Sequence, residues 1–193
     1  MRVIGGIYRS RPLLAPVGMD TRPTADRLRE TLLNVLTQGA VDRVRGKAFL
    51  DLYAGSGAVG IEAVSRGAAG VTFVEQGAAA LAVLQKNLAG LGIRGGVTVE
   101  RRSVAAFLRK AAGVDQVFDT VFLDPPYEDA EEYLRTLGML GGEGVGLLAE
   151  GALVVAEHRK KDSLAEGYGR LVRTRVLVQG EAGLSFYEVQ RLA

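Results

Sequence analysis

The chain has 193 residues, of which 48% are hydrophobic and 24% are charged, and its net charge is +2 at pH 7. This length suits one globular domain, and the sequence contains no apolar run long enough to span a bilayer. Since there is no cysteine and only one histidine, disulfides and thiolate catalysis are excluded and a zinc site is not expected. The start lacks the apolar core of a signal peptide, so we expect a cytoplasmic protein.

The first 47 residues carry an excess of positive charge. They hold nine Arg or Lys and four acids, whereas the remaining residues hold 15 and 18. Residues 2–16 predict a β-hairpin, which continues as an arm to residue 22. Its cationic side chains, with a tyrosine among them, suit contact with RNA phosphates. These candidate RNA-binding residues are Arg2, Tyr8, Arg9 and Arg11. A solvated hairpin that binds nothing is the alternative.

After the arm, a helix is followed by alternating strands and helices. Leu28, Leu32, Val35 and Leu36 form the apolar stripe of the first helix. Strands are predicted near 48–53, 71–75, 97–100, 118–123 and 152–157, and helices near 58–66, 78–90, 103–112 and 129–140. Two further strands, 171–178 and 184–189, close the sheet as a hairpin.

This alternation predicts an α/β fold with a doubly wound, mostly parallel sheet of seven strands. We expect a single domain over 1–193, with 1–22 as the basic hairpin and 23–193 as a Rossmann-like core.

A glycine-rich turn connects the first strand to its helix. Gly55-Ser56-Gly57-Ala58-Val59-Gly60 follows the apolar run 49–54, and Glu75 ends the next strand. Glycines let the backbone approach a nucleotide closely, and an acid about 20 residues downstream is placed to accept hydrogen bonds from ribose hydroxyls. The pattern therefore favours a cofactor that contains adenosine, either a nicotinamide dinucleotide or S-adenosylmethionine.

A second motif, Asp124-Pro125-Pro126-Tyr127, follows the apolar run 120–123. The prolines leave carbonyl acceptors without backbone donors, and Tyr127 offers a flat face for stacking. Acceptors of this kind can draw on both N–H bonds of a planar amino group and make its nitrogen more nucleophilic. The motif thus indicates methylation of an exocyclic nitrogen, although a plain turn before a helix is the alternative.

The arrangement of the two motifs favours S-adenosylmethionine. Both follow strands of one parallel sheet, so both emerge at its carboxyl edge, where open α/β sheets bind ligands. The chain also leaves no room for the separate substrate domain of most dehydrogenases.

In order and spacing, these segments resemble the ribosomal RNA guanine-N2 methyltransferases. The resemblance rests on residues 2–11 (RVIGGIYRSR), residues 21–34 (TRPTADRLRETLLN), the glycine turn and the Asp-Pro-Pro-Tyr motif. It implies a methyltransferase domain that uses S-adenosylmethionine to methylate the N2 amino group of a guanine in 16S RNA, within the small ribosomal subunit or an assembly intermediate. We expect this enzyme to act as a monomer without a metal.

The resemblance also implies roles for individual residues. The catalytic residues would be Asp124, Pro125, Pro126 and Tyr127. The cofactor-binding residues would be Asp51, Tyr53, Gly55, Gly57, Glu75, Ser103, Val104, Arg22 and Thr24. Ser103 stands where related enzymes often have Asp or Asn beside the adenine amino group, so the adenine contact is open, and Thr24 could instead be a helix cap.

Three other functions fit parts of the sequence. An adenine-N6 DNA methyltransferase could use the same tetrapeptide, but such enzymes commonly carry a further recognition domain. A glutamine methyltransferase for release factors would more often have Asn in place of Asp124. A non-catalytic RNA-binding or ribosome-assembly module could keep the cofactor fold. We expect His158 to be structural or solvated rather than catalytic.

Overall fold

The computed structural model describes residues 1–15, 23–111, 117–126 and 130–190. The described strands form one sheet in the order β3-β2-β1-β4-β5-β8-β7-β6. The helices are α1 (Pro23–Gln38), α2 (Ala58–Ser65), α3 (Ala78–Gly90), α4 (Val104–Ala111) and α5 (Ala130–Gly141), with a 3-10 turn at Glu143–Leu147. The strands are β1 (Ala48–Leu52), β2 (Gly70–Glu75), β3 (Val97–Arg101), β4 (Phe118–Leu123), β5 (Leu148–Arg159), β6 (Gly167–Tyr168), β7 (Leu171–Gln179) and β8 (Ala182–Val189).

Five parallel strands, β1 to β5, form one part of the sheet. β1 lies between β2 and β4, with Asp51 abreast of Phe73 on one side and Phe122 on the other. The inner strands β1, β2 and β4 are almost completely buried because helices cover both faces, which is the usual condition for a parallel sheet. The predicted doubly wound α/β fold is confirmed.

The remaining strands are antiparallel. β8 pairs with β5 and β7, as expected for the predicted closing hairpin. The structure adds the two-residue strand β6, which pairs with the start of β7. Two residues cannot show an alternating pattern, so this strand could not be predicted from the sequence.

Two apolar cores lie on opposite faces of the sheet. On one face, Leu32 and Leu36 of α1 pack with Phe122 and Val155. On the other, Phe107 of α4 and residues of α5 pack with Leu123 and Ala156. Successive residues of a strand point to opposite faces of the sheet. The core in which one strand residue lies therefore shows which face the residues two positions away in the same strand point to.

The N-terminal arm folds back on itself as a short hairpin and is anchored on α2. Over residues 1–15 only one antiparallel bridge forms, between Arg2 and Pro12. The backbone N–H groups of Ile4 and Gly5 instead donate to the fully buried carboxylate of Glu62, at 2.9 and 2.7 Å. Within the arm, the Val3 N–H donates to the Arg11 carbonyl oxygen and the Leu13 N–H to the Met1 carbonyl oxygen, each at 3.0 Å, so the hairpin pairing is short.

Candidate functional site

Four acidic residues follow one another across the carboxyl edge of the parallel sheet. Glu75 ends β2, Asp51 lies in β1, Asp124 directly follows β4, and Glu157 lies near the end of β5. Since β2, β1, β4 and β5 are consecutive in the sheet, the row has no gap. Phe73, Phe122 and Val155 stand two residues before three of these acids, and all belong to the core beneath α1. By alternation, the four acids lie on the face that α1 and α2 cover.

The glycine turn presents its backbone to open space. Gly55 and Gly57 have φ angles of 55° and 79°, which favour glycine. An added Cβ at Gly55 would lie 3.9 Å from the Tyr53 carbonyl oxygen, which is ordinary van der Waals contact. At Gly57 a Cβ would overlap the side chain of Leu84 in α3. The turn thus packs tightly on α3 behind Gly57 and leaves Gly55 accessible to a ligand.

Glu75 is held firmly beside this turn. One carboxylate oxygen accepts the Gly55 N–H at 2.8 Å, and the other accepts the N–H groups of Gln76 and Gly77 at 2.8 and 2.7 Å. A carboxylate has about four lone-pair sites, so capacity remains for a hydroxyl donor. The glycine turn and Glu75, which the sequence placed in one site, are therefore in direct contact and fit an adenosine-containing cofactor.

Asp51 supports the turn from inside the sheet. It is only 2% exposed, and its carboxylate accepts the Gly60 N–H at 2.8 Å. Burial raises the pKa of Asp51 to about 7, with a further contribution from Glu75 and opposition from the Gly60 hydrogen bond. Its contact is with the first turn of α2, so any effect on the cofactor would pass through the loop.

Tyr53 combines a left-handed backbone, with φ of 60°, and a hydroxyl bound to α5. The hydroxyl donates to Glu132 at 2.7 Å and lies 2.6 Å from the Thr136 hydroxyl oxygen. Burial is the main cause that raises the pKa of Tyr53 above its usual range. Since the hydroxyl has these partners, the predicted cofactor contact of Tyr53 would involve its ring or its backbone.

Ser103 and Val104 begin α4. The Ser103 hydroxyl oxygen accepts the Ala106 N–H at 3.2 Å, which makes it a helix cap. Val104 is 4% exposed and belongs to the core beneath α4. The structure thus explains both residues by the fold, and their predicted cofactor contact stays a prediction.

The catalytic tetrapeptide is described for its first three residues. Asp124 is half-buried, Pro125 is buried and Pro126 is exposed. Burial raises the pKa of Asp124 well above its usual range, and the negative charges of Glu157 and Asp51 act in the same direction. Tyr127 and Arg22 lie outside the described residues. Thr24 falls in the first turn of α1, but its side chain is also outside what the structure describes.

Two residues of this site were missed at the sequence level. Glu157 is the first acid after the apolar run 152–156 of β5, a position like that of Glu75, and this pattern could have indicated it. Tyr133 of α5 is 2% exposed and donates its hydroxyl to the Glu157 carbonyl oxygen at 2.9 Å. Only the folded structure shows that this tyrosine reaches β5.

Asn87 was also missed, and it joins the arm to the glycine turn. Its side chain is 4% exposed. The amide oxygen accepts the Leu14 N–H at 2.7 Å, and the amide nitrogen donates to the carbonyl oxygens of Leu14 at 3.1 Å and Ser56 at 2.9 Å. A lone asparagine within a helix carries no sequence pattern that would predict three such bonds.

The arm residues predicted to bind RNA lie away from the catalytic edge. Arg2, Arg9 and Arg11 are exposed, whereas Tyr8 is half-buried. The Tyr8 N–H donates to the Ser65 hydroxyl at 2.9 Å, which places the tip of the arm at the carboxyl end of α2. The glycine turn lies at the opposite end of this helix. The cations are accessible to a large ligand, and the RNA contact itself stays a prediction.

His158 has a structural environment. It is 4% exposed, its Nδ1 lies 2.9 Å from the Arg159 carbonyl oxygen, and its Nε2 lies 2.9 Å from the Ser185 hydroxyl. Because a carbonyl only accepts, Nδ1 carries the proton. Within the described part of the chain, no group of three or more His, Cys, Asp or Glu residues is arranged to hold a metal. No helix described here is both long and apolar enough to cross a membrane.

Comparison with known proteins gives matches over nearly the whole chain. A model of the family described as "Conserved hypothetical protein 95" matches residues 1–188. YlbH of Bacillus subtilis is 38% identical over 188 residues, which are 97% of this chain and 98% of that protein. Ribosomal RNA small subunit methyltransferase D of Escherichia coli K12 is 36% identical over 190 residues, covering 97% and 89%.

Solved structures agree with these matches. YhhF from Escherichia coli superimposes with a TM-score of 0.81 at 34% identity and covers 98% of both chains. An S-adenosylmethionine-dependent methyltransferase from Agrobacterium tumefaciens has a TM-score of 0.64 at 17% identity, covering 89% of this chain and 63% of that one. The second likeness shows that the fold is shared.

Proposed function

We propose that this chain, which belongs to the family described as conserved hypothetical protein 95, is a ribosomal RNA methyltransferase. Its reaction would be transfer of a methyl group from S-adenosylmethionine to the exocyclic N2 amino group of a guanine in 16S RNA. The relationship to the small subunit methyltransferase D of Escherichia coli, over 97% of the chain, supports the substrate class.

One structural observation carries the chemical part of the proposal. Asp124 lies at the same edge and on the same face as Glu75, with Asp51 between them on the intervening strand. An acceptor for an amino group and an acceptor for ribose hydroxyls therefore share one cleft. That arrangement suits transfer between an adenosine-containing methyl donor and a base.

The residues divide the work as follows. Glu75 and the backbone of Gly55 would hold the ribose end of the cofactor, whose bound sulfonium supplies an activated methyl group. Asp124 and the Pro125 carbonyl would accept the two N–H groups of the guanine, and Tyr127 would stack on the base, which must leave its helix or be single-stranded. Catalysis would come mainly from holding the nitrogen about 3 Å from the methyl carbon and in line with it.

This chemistry needs no metal, because the leaving group is already activated. We further propose a monomeric, cytoplasmic enzyme of one domain whose substrate is the small ribosomal subunit or an assembly intermediate. The arm, with Arg2, Tyr8, Arg9 and Arg11, would contact RNA outside the catalytic cleft.

The test is tritium transfer from labelled S-adenosylmethionine to small subunits that lack the modification. Free 16S RNA, DNA and a release factor serve as parallel acceptors, and Asp124→Ala is the matched inactive variant. Label in N2-methylguanosine, lost in Asp124→Ala while calorimetry shows unchanged cofactor binding, supports the proposal. Label in DNA or in the release factor would select another methyltransferase function, and absence of cofactor binding would favour a non-catalytic assembly module.

A further inference from the structure

Glu157 stands beside Asp124 at the carboxyl edge of the sheet. In the parallel pairing of β4 and β5, Leu123 is abreast of Ala156. The residues that directly follow them, Asp124 and Glu157, are therefore neighbours. Phe122 and Val155, two residues earlier, lie in the same core. Strand alternation therefore directs both acids to the same face.

The backbone of Glu157 is fixed on both sides. It pairs with Leu184 of β8, and its carbonyl oxygen accepts the hydroxyl of the buried Tyr133 at 2.9 Å. Glu157 is half-buried. The position of this acid relative to Asp124 is thus set by the sheet and by α5.

We propose that Glu157 is a positioning residue that acts through Asp124, making Asp124 the group that takes the proton released from the guanine N2. This inference rests on the proposed function. It gives a role to a second carboxylate, which lies on β5 and not in the tetrapeptide that follows β4.

The proton balance shows why such a group is useful. When the N2 lone pair bonds to the methyl carbon, the carbon–sulfur bond breaks and its electron pair goes to sulfur. The nitrogen then has a positive charge and keeps both protons. One N–H bond returns its electron pair to nitrogen, and the proton passes to the Asp124 carboxylate.

A neighbouring negative charge makes a carboxylate hold a proton more strongly. The pKa of Asp124 is raised well above its usual range by burial, then by Glu157 and by Asp51. The pKa of Tyr133 is also raised, by burial first and then by the negative charges of Asp124 and Glu157. On α1, which packs against the same face, Asp26 and Arg29 pair with each other at 3.1 Å.

The first test measures the proton affinity of Asp124 in the protein without cofactor. Carbon-13 NMR of the labelled aspartate carboxyl groups, assigned with Asp124→Asn, would follow its titration in wild type, Glu157→Gln and Glu157→Asp. We expect Asp124 to titrate at lower pH in Glu157→Gln and to return towards wild type in Glu157→Asp. Glu166→Gln, which removes a 92% exposed carboxylate, is the control and should change nothing.

The second test is the pH profile of kcat/KM for methyl transfer. In Glu157→Gln the acid limb should move to lower pH together with the Asp124 titration, and the plateau should fall several-fold because Asp124 is then a weaker base. Circular dichroism and thermal unfolding establish that each variant is folded.

An Asp124 titration that is the same in wild type and Glu157→Gln would overturn the proposal. A shifted Asp124 titration with an unchanged pH profile of kcat/KM would also overturn it, since the proton would then leave by another route. In either case, continued formation of N2-methylguanosine would leave the proposed function intact. If wild type forms no N2-methylguanosine on any acceptor, both fail, and the NMR shift would report only electrostatic contact.

Discussion

Replacing Asp51 by asparagine should make the protein more resistant to alkaline pH. The substitution keeps an oxygen that can accept the Gly60 N–H and removes a carboxyl group that is 2% exposed. The pKa of this group is about 7 in the folded protein, above its ordinary value of 3.8. The folded state therefore binds a proton more strongly than the unfolded state, and the stability associated with that proton is lost as pH rises through this interval.

The size of the effect follows from the shift. Each pKa unit corresponds to about 1.4 kcal/mol. The unfolding free energy of wild type should therefore fall by on the order of 4 kcal/mol between pH 4 and pH 8 because of this group, and that of Asp51→Asn should not. The asparagine adds an amide donor in a buried site, which changes the unfolding free energy by an amount that does not depend on pH. The quantity to compare is therefore the slope, not the absolute free energy of unfolding.

Urea denaturation of both proteins from pH 4 to pH 9 provides the measurement. We expect the unfolding free energy of Asp51→Asn minus that of wild type to increase with pH and to level off above pH 7. Glu166→Gln is again the control, because its carboxylate is exposed. A difference that stays constant across this range would refute the argument that burial of Asp51 destabilises the folded protein at neutral pH.

Three further changes test other parts of the site. Glu75→Gln should weaken S-adenosylmethionine binding by about 1.5–3 kcal/mol, since a charged acceptor is lost, and calorimetry that finds equal affinity would remove Glu75 from the cofactor site. Asn87→Asp keeps the acceptor for the Leu14 N–H but loses both donated hydrogen bonds. It should lower the unfolding free energy by about 1–3 kcal/mol and weaken cofactor binding through Ser56. Unchanged cofactor binding would limit Asn87 to a role in stability. Arg9→Ala should lower the slope of log affinity for RNA against log salt by about 0.7–0.9, whereas the exposed Arg94→Ala should not, and equal slopes would contradict the predicted arm contact.

The sheet could be predicted from the sequence because its strands are buried on both faces. Runs such as 49–54 and 152–156 are apolar at nearly every position, and the intervening helices have the required length. The glycine turn and Glu75 were predictable for a similar reason: their chemistry depends on local spacing along one strand–turn–helix unit. Glu75 accepts the Gly55 N–H, so the two lie in direct contact at this edge of the sheet.

Residues that act across distant elements could not be predicted in this way. Glu62 accepts backbone N–H groups of the arm from 57 and 58 positions earlier, and this anchors the arm on α2. Asn87 joins Leu14 to Ser56 only because α3 packs on the glycine turn. A partner for a backbone donor is a matter of three-dimensional packing, and hydrophobic periodicity carries no information about it.

The placement of the arm limits how RNA can approach. The arm tip contacts Ser65 at one end of α2, and the glycine turn precedes the other end. The helix has 8 residues. Its axis is therefore about 12 Å long, so one nucleotide base cannot touch the arm tip and Asp124 together. If both predicted contacts are made, the RNA must extend along the α2 side of the protein while its target base enters at the carboxyl edge. A substrate folded to present phosphates and an accessible guanine at that separation should then bind better than a short single strand containing the same guanine.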